Sequence, residues 1–175
     1  ASVFAIMMEA RMRAELLKIP TLVEMAEDAL DEGMSVAVFL NFNDSIAAFT
    51  SKLKQPHGLI IGGQDGDERQ RHIDDFQADR KRVIVANIAA GGVGVSLHDL
   101  NGKYPRMSLI SPNYSAIQLV QAVGRVWRSG GKTKSIQHVV FAAGTIEEQA
   151  CRSVRSKLRN LSALNDGDLK AGLSI

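Results

Sequence analysis

The chain has 175 residues, of which 45% are hydrophobic and 23% are charged, and its formal net charge at pH 7 is +2. This length and composition suit one globular domain with an ordinary core. No run of about 18 apolar residues and no secretory signal pattern is present, which excludes a membrane span and predicts an intracellular protein. The single cysteine, Cys151, cannot form an internal disulfide, and the four histidines are too scattered for a short metal-site pattern. We therefore expect no metal ligated by this chain.

Short apolar runs without polar alternation recur along the chain and predict strands that are buried on both faces. The predicted strands are Val36 to Leu40, Leu59 to Ile61, Arg82 to Ala86, Met107 to Ile110 and Ile136 to Phe141. Helix-capping residues stand before or between these runs. They are Thr21 with Glu24, Asn43 or Asp44, Asp67 with Gln70, Ser115 with Gln118, and Thr145 with Glu148. Strand and helix therefore alternate almost without exception.

This alternation predicts an α/β fold, an open and mostly parallel sheet with helices on both faces. Ligands on such folds bind at the carboxyl ends of the strands. We expect three segments: N-terminal helices over residues 1–34 that pack on the domain, the α/β domain over 35–165, and a frayed tail over 166–175.

The segment from Gln121 to Arg128 predicts an amphipathic helix whose polar side is basic. At about 100° per residue, one arc carries Gln121, Gly124, Arg125 and Arg128, and the other carries Leu119, Val120, Val123, Val126 and Trp127. We expect Trp127 to pack in the core, with base stacking as the alternative, and we expect truncation of either arginine to leave the core intact. Because a guanidinium matches phosphate or carboxylate oxygens, the polar arc indicates an anionic ligand. A solvated basic face is the other interpretation.

Basic residues concentrate in the same part of the chain. Eight Lys or Arg residues lie between Ser115 and Asn165 against two glutamates, Glu147 and Glu148, while the preceding part is net acidic. This region is a candidate for contact with a polyanion, and a solvated basic surface is again the alternative.

Two glycine-rich segments do not match nucleotide-binding loops. Gly130 to Thr133 resembles the end of a P-loop, but Val126 stands where the first glycine is required. Gly91 to Gly94 fails the G-x-G-x-x-G pattern, because Leu97 occupies its last position. Neither segment therefore predicts an independent nucleotide site.

Five segments occur in a defined order: VAVFLNFN from Val36, Gly66 and Arg69 with Ile73 and Phe76, AAGGVGVSL from Ala89, QAVGRVWRSG from Gln121, and GTIEEQ from Gly144. This set resembles the second RecA-like lobe of superfamily-two helicases and includes the counterparts of motifs IV, V and VI. The strongest likeness is to the Swi/Snf-type ATP-dependent DNA translocases. The resemblance implies a RecA-like lobe of the P-loop NTPase type over residues 35–165.

The resemblance also implies roles for particular residues. Arg125 and Arg128 correspond to arginine fingers that act on ATP held by the first lobe, and Gln121 supports that face by hydrogen bonding. The glycines whose backbone is expected to approach the nucleotide are Gly91, Gly92, Gly94 and Gly124.

Nucleic acid and a second lobe are the partners that the resemblance implies. DNA, with RNA as the alternative, is expected to contact Asn41, Asn43 and Ser96 mainly through its phosphates. ATP and Mg²⁺ are expected to be held mainly by a preceding RecA-like lobe, because no Walker A lysine motif occurs in this chain. No membrane partner is expected. The chain is interpreted as part of a longer ATPase that is inactive on its own.

Two other functions fit parts of this pattern. A one-lobe regulatory module would touch nucleic acid without hydrolysing ATP, but it would have no need of Arg125 and Arg128. An unrelated α/β enzyme that acts on a small molecule is the second alternative. Strong binding of a nucleotide to this chain alone would favour that enzyme.

Overall fold

The computed structural model of the protein describes residues 2–90 and 95–164. Within these residues six helices and five strands follow one another along the chain. The first elements are α1 (Val3–Leu17), α2 (Ile19–Asp31), β1 (Ser35–Leu40), α3 (Asn43–Lys52), β2 (His57–Ile60) and α4 (Gly66–Gln77). The later elements are β3 (Val83–Asn87), β4 (Arg106–Ile110), α5 (Ala116–Val126), β5 (Ser135–Val139) and α6 (Ile146–Leu164). All five predicted strands are confirmed to within a residue or two.

The five strands form one sheet in the order β2-β3-β1-β4-β5. Every neighbouring pair is parallel, including the two central pairs that β1 makes with β3 and with β4. Parallel strands need crossover connections. Helices α3, α4 and α5 supply those from β1 to β2, from β2 to β3 and from β4 to β5, and they lie on both faces of the sheet. The predicted open parallel α/β sheet is confirmed.

Alternate residues of each strand point into two separate hydrophobic cores. Val36 and Val38 of β1 face a core that is built with α2 and α3. Ala37 and Phe39 of the same strand face the opposite core, which is built with α4, α5 and α6. Strands buried on both faces explain the unbroken apolar runs of the sequence. The helix α2 thus shares a core with β1, although the predicted division after residue 34 separates the two.

A buried carboxylate joins α1 to the carboxyl edge of the sheet. Glu15 is fully buried, and it accepts hydrogen bonds from the backbone N–H groups of Asn41 and Phe42, both at 3.1 Å. The hydroxyl of Ser111 donates to Glu15 at 2.5 Å and accepts a hydrogen bond from Lys18 at 2.8 Å. One glutamate therefore connects the ends of β1 and β4.

Lys18 extends these contacts to α6. Its ammonium donates to Glu147 at 2.5 Å and to the backbone carbonyl of Val140 at 3.0 Å. Burial lowers the pKa of Lys18, and the charges of Glu147 and Glu15 oppose that shift. We name Glu15, Lys18, Ser111 and Glu147 the buried ionic network.

The starts of α2 and α3 differ from the predicted ones. α2 begins at Ile19 rather than at Thr21, because the chain turns directly out of α1 at Lys18. α3 begins at Asn43 itself. The Oδ1 atom of Asn43 accepts a hydrogen bond from Asn87 at 3.1 Å instead of capping the helix.

The later helices begin at side-chain caps. Asp65 caps α4 in place of Asp67, because its carboxylate accepts the backbone N–H of Asp67 at 3.1 Å. Ser115 caps α5 as predicted, and its hydroxyl accepts the N–H of Gln118 at 3.2 Å. The hydroxyl of Thr145 accepts a backbone N–H of the first turn of α6 at 3.2 Å, so this predicted cap is also confirmed.

Candidate functional site

The helix that carries the paired arginines is shorter than its sequence pattern predicts. α5 ends at Val126, and Trp127 occupies the C-cap with an extended backbone, φ -101 and ψ 110. Arg128 therefore lies beyond the helix. The predicted division of Gln121 to Arg128 into two arcs is wrong for the last two residues, because a helical period applies only where the backbone stays helical.

Arg125 points into the protein and not along a polar surface. Only 6% of the residue is exposed. Its Nη1 atom donates to the carbonyl of Val95 at 3.1 Å, and its backbone carbonyl accepts the N–H of Leu97 at 2.8 Å. The prediction of an outward arc is wrong for Arg125, because residues 95–97 lie against this part of α5 and cover it.

Arg128 is exposed and is positioned by two hydrogen bonds. Its Nε atom donates to the carbonyl of Gly124 at 3.2 Å, and its Nη1 atom donates to the hydroxyl of Ser96 at 2.7 Å. Gln77 of α4 donates to the carbonyl of Ser96. In this structure Ser96 therefore orients Arg128, and its predicted contact with nucleic acid stays a prediction.

A third arginine, Arg69 of α4, lies near the other two. Its Nη2 atom donates to the carbonyl of Ala90 at 3.2 Å. Burial lowers the pKa of Arg125, and the charges of Arg128 and Arg69 lower it further, so both of these guanidinium groups are close enough to repel that of Arg125. Arg125 nevertheless stays cationic at neutral pH, because guanidinium is not deprotonated in proteins.

We name Arg69, Arg125 and Arg128 the arginine cluster. The helicase resemblance included Arg69 but gave it no role at the site, because only the fold brings α4 to this face. Guanidinium forks bind phosphate oxygens through parallel hydrogen bonds. A polyanion that contacts the cluster would also relieve the repulsion between its three charges. The arrangement can therefore bind and stabilise negative charge.

The face of α5 at Gln121 and Gly124 is open to a ligand, whereas residues 95–97 cover Arg125. Gln121 is exposed, and a Cβ atom added at Gly124 would meet nothing within 4 Å. The predicted glycines that lie outside the described residues are Gly91, Gly92 and Gly94. The described residues on either side of them, Ala90 and Val95, both accept hydrogen bonds from the arginine cluster.

The predicted nucleic-acid residues Asn41 and Asn43 lie at the carboxyl edge, directly after β1. Asn41 is half-buried, its amide donates to Glu15 at 2.8 Å, and its oxygen accepts from Asn113 at 2.8 Å. These bonds tie the Asn41 side chain to the buried ionic network. Asn43 is exposed and accepts from Asn87 at 3.1 Å. Of the two, Asn43 is better placed for an external ligand.

Aromatic and cationic side chains surround the same edge. The guanidinium carbon of Arg11 lies 5.8 Å from the centre of the Phe42 ring and 5.4 Å from that of Tyr114, within reach of cation-π attraction. Lys157 donates to the backbone carbonyl of Tyr114 at 3.0 Å. Such groups suit contact with phosphates and bases. Sequence reasoning missed them because they come from separate elements of the fold.

Trp127 does not pack in the core. It is 64% exposed, because the extended backbone at the C-cap carries it away from the apolar arc of α5. The prediction of core packing is therefore wrong, and the alternative of base stacking stays a prediction.

Residues 2–90 and 95–164 contain no group of three or more His, Cys, Asp or Glu side chains that could hold a metal ion. They do not fit a Mg²⁺ site, and we assign no step in this chain to that ion.

Burial raises the pKa of Cys151 to about 11, so its thiol is protonated at neutral pH. In residues 2–90 and 95–164 no helix is long and apolar enough to cross a membrane.

A five-stranded parallel sheet flanked by helices is the architecture of RecA-like helicase C-terminal domains. The family described as "Helicase conserved C-terminal domain" matches residues 17–130, which is more than half of the chain. The chain belongs to this family. The match includes α2, in agreement with the core that α2 shares with the sheet.

Two relatives illustrate the family. A protein of Acanthamoeba polyphaga mimivirus, provisionally named an ATP-dependent RNA helicase, is 41% identical over 157 residues, which are 89% of this chain and 29% of the relative. DNA repair protein rhp54 of Schizosaccharomyces pombe is 34% identical over 92 residues, 51% of this chain and 10% of the relative. The chain thus spans less than a third of these relatives. Swi/Snf-type translocases are among the relatives, so the predicted resemblance is confirmed.

Two solved structures share the fold. The C-terminal part of the Fun30 ATPase domain superposes with a TM-score of 0.66 at 22% identity, over 78% of this chain and 44% of that one. The C-terminal domain of the DEAD-box protein Dbp5 gives a TM-score of 0.59 at 20% identity, over 82% of this chain and 79% of that one. At these identities the likeness concerns the fold alone, and it confirms the predicted RecA-like architecture.

The burial of Arg125 predicts that the two motif arginines differ in their effect on folding. Arg125→Ala should lower the free energy of unfolding by about 2 kcal/mol, because the Val95 carbonyl loses a buried charged donor. Arg128→Ala should change it by at most about 0.5 kcal/mol, because that side chain is exposed. Urea unfolding followed by circular dichroism measures both. Equal losses would contradict the burial of Arg125.

Proposed function

We propose that this chain is the C-terminal lobe of an ATP-dependent nucleic-acid helicase or translocase, and that it acts on ATP bound by a preceding RecA-like lobe. The observation that carries the proposal is the arginine cluster, whose three guanidinium groups donate hydrogen bonds to Ala90, Val95 and Ser96. Membership of the helicase C-terminal family supports ATP as the anion. The chain has no Walker A lysine motif of its own, in keeping with ATP held elsewhere.

The two motif arginines divide their roles in this mechanism. Arg128, exposed and oriented by Ser96, reaches across the cleft to the γ-phosphate. Arg125 holds Val95 in place through its hydrogen bond to the carbonyl, and its buried positive charge attracts the γ-phosphate without contacting it. Negative charge spreads over the oxygens of the γ-phosphoryl group as it leaves, and a positioned guanidinium stabilises that charge. Gln121, exposed on the same helix, forms hydrogen bonds at the interface between the lobes.

Nucleic acid binds along the carboxyl edge, where Asn43 is exposed. Asn87 connects this edge to the arginine cluster: its amide donates to Asn43, and its oxygen accepts the N–H of Ala89 at 3.0 Å. On the other side of residues 91–94, Val95 accepts a hydrogen bond from Arg125. Opening and closing of the cleft during ATP turnover therefore acts on the nucleic-acid edge as well, and the protein steps along its strand.

The proposal predicts that turnover depends on Arg128 and not on positive charge in general. In the full-length protein, Arg128→Ala should lower kcat for nucleic-acid-stimulated ATP hydrolysis by roughly 10³-fold, the scale of a lost arginine finger. Arg155→Ala is the matched control, because Arg155 is an exposed arginine on α6. Its kcat should not change, and both variants should melt like the parent. Normal turnover in Arg128→Ala would refute the proposed mechanism.

The nucleic-acid edge predicts a second measurement. Affinity of the full-length protein for labelled duplexes should fall steeply as salt rises, because phosphate contacts release counterions. Asn43→Ala should weaken binding about threefold, the scale of one hydrogen bond. Gln55→Ala is the control, since Gln55 is an exposed amide that precedes β2 at the opposite edge.

Both DNA and RNA duplexes are needed in that titration, because the names of the relatives refer to RNA in one case and to DNA repair in another. We propose DNA, on the strength of the Swi/Snf-type relatives. Tight binding that is insensitive to salt, or equal effects of Asn43→Ala and Gln55→Ala, would contradict the assignment of this edge.

A further inference from the structure

The end of α5 and the segment that follows it line a half-open pocket beside the arginine cluster. Its volume is about 280 Å³, and residues 126–128 and 131–135 line it. Trp127 belongs to this lining and is largely exposed, although tryptophan is highly buried on average in folded proteins. It is the single tryptophan of the chain. A flat aromatic ring that faces a cavity can stack on a planar ligand.

The pocket is positively charged. Arg128, Lys132 and Lys134 line it, and none of the described residues that line it is acidic. A pocket that combines an exposed aromatic ring with three cations suits a ligand with a planar ring and a string of negative charges. A nucleotide has both parts.

Asp99 holds the wall of the pocket in place from beneath. Its carboxylate accepts from the hydroxyl of Thr133 at 2.8 Å, and its backbone carbonyl accepts the N–H of Lys132 at 3.0 Å. Burial opposes ionisation of Asp99, but hydrogen bonds from Thr133 and from the N–H groups of Asn101 and Gly102 outweigh it and lower its pKa. These hydrogen bonds hold residues 132 and 133 of the lining in place before any ligand binds. The Asp99 carboxylate is occupied by its bonds to Thr133, Asn101 and Gly102.

Arg128 belongs both to this pocket and to the arginine cluster. A ligand whose phosphates contact Arg128 thus has the pocket within reach of its remaining part. The pocket lies where α5 ends and β5 begins, at the amino edge of the sheet, whereas Asn43 lies at the carboxyl edge. This separation favours a nucleotide at the arginine cluster over a nucleic-acid strand as the occupant.

We propose that the pocket receives the base of the ATP whose phosphates contact the arginine cluster. Trp127 stacks on the base, and Lys132 and Lys134 attract the phosphates nearest to the ribose. The inference rests on the proposed function, because it concerns the same ATP. It makes Trp127 a specificity-determining residue, since a purine offers a larger face for stacking than a pyrimidine does.

Steady-state kinetics of the full-length protein test this inference. Trp127→Ala should raise KM for ATP about tenfold and leave kcat within about twofold, the scale of one lost stacking contact. Trp127→Phe keeps an aromatic face, so its KM should stay within about threefold of the parent value. The preference for ATP over UTP in kcat/KM should decrease in Trp127→Ala and persist in Trp127→Phe.

Ile117→Ala is the matched control, because Ile117 lies on α5 outside the lining of the pocket and is 68% exposed, close to the 64% of Trp127. Its KM and kcat should equal those of the parent. Melting curves accompany each variant. If Trp127→Ala unfolds early, Lys132→Ala takes its place, and an unchanged KM for ATP in that variant counts against the inference.

An unchanged KM for ATP and an unchanged ATP preference in Trp127→Ala would overturn the inference. A weaker stimulation by nucleic acid at an unchanged KM for ATP would overturn it too, since Trp127 would then contact the strand. Failure of the proposed function is recognised separately, because Arg128→Ala would then retain its kcat whatever Trp127→Ala does.

Discussion

The buried ionic network at the carboxyl edge is the constraint on which the rest of the structure depends. Its hydrogen bonds join side chains that lie 93 to 129 positions apart in the chain. Buried charges are tolerated only where hydrogen-bonded partners surround them. The network therefore forms only when the ends of β1, β4 and β5 lie against α1 and α6 as they do here. The net stabilisation from the network is small, because desolvation of the ions offsets much of their attraction.

Hydrogen bonds on either side of residues 91–94 hold the chain that follows β3. Before them, Asn87 donates to Asn43 at the carboxyl edge, and after them, Val95 accepts a hydrogen bond from Arg125 of the arginine cluster. A residue that holds a segment has to be buried, whereas one that reaches a partner has to be exposed. Arg125 and Arg128 meet these two demands three positions apart, because α5 ends between them.

Sequence patterns predicted the elements well, because each strand and each amphipathic helix is a local feature of the chain. They located α5 and its Ser115 cap. The burial of Arg125 and the exposure of Trp127 were not predictable in this way, because a helical period cannot tell where the helix ends or what covers it. The carboxylate of Glu15 was missed for a similar reason: its partners are distant in sequence, and nothing on α1 itself marks it as buried.

The central claim is that Arg128 acts on ATP held by the other lobe. The most direct measurement is a structure of the full-length protein with ADP and a fluoride mimic of the γ-phosphate. The claim predicts that Arg128 leaves Ser96 and lies about 2.7–2.9 Å from the mimic, while Arg125 stays at the carbonyl of Val95. A structure in which the mimic is fully bound, but Arg128 remains on Ser96 and no residue of the arginine cluster contacts the mimic, would contradict it.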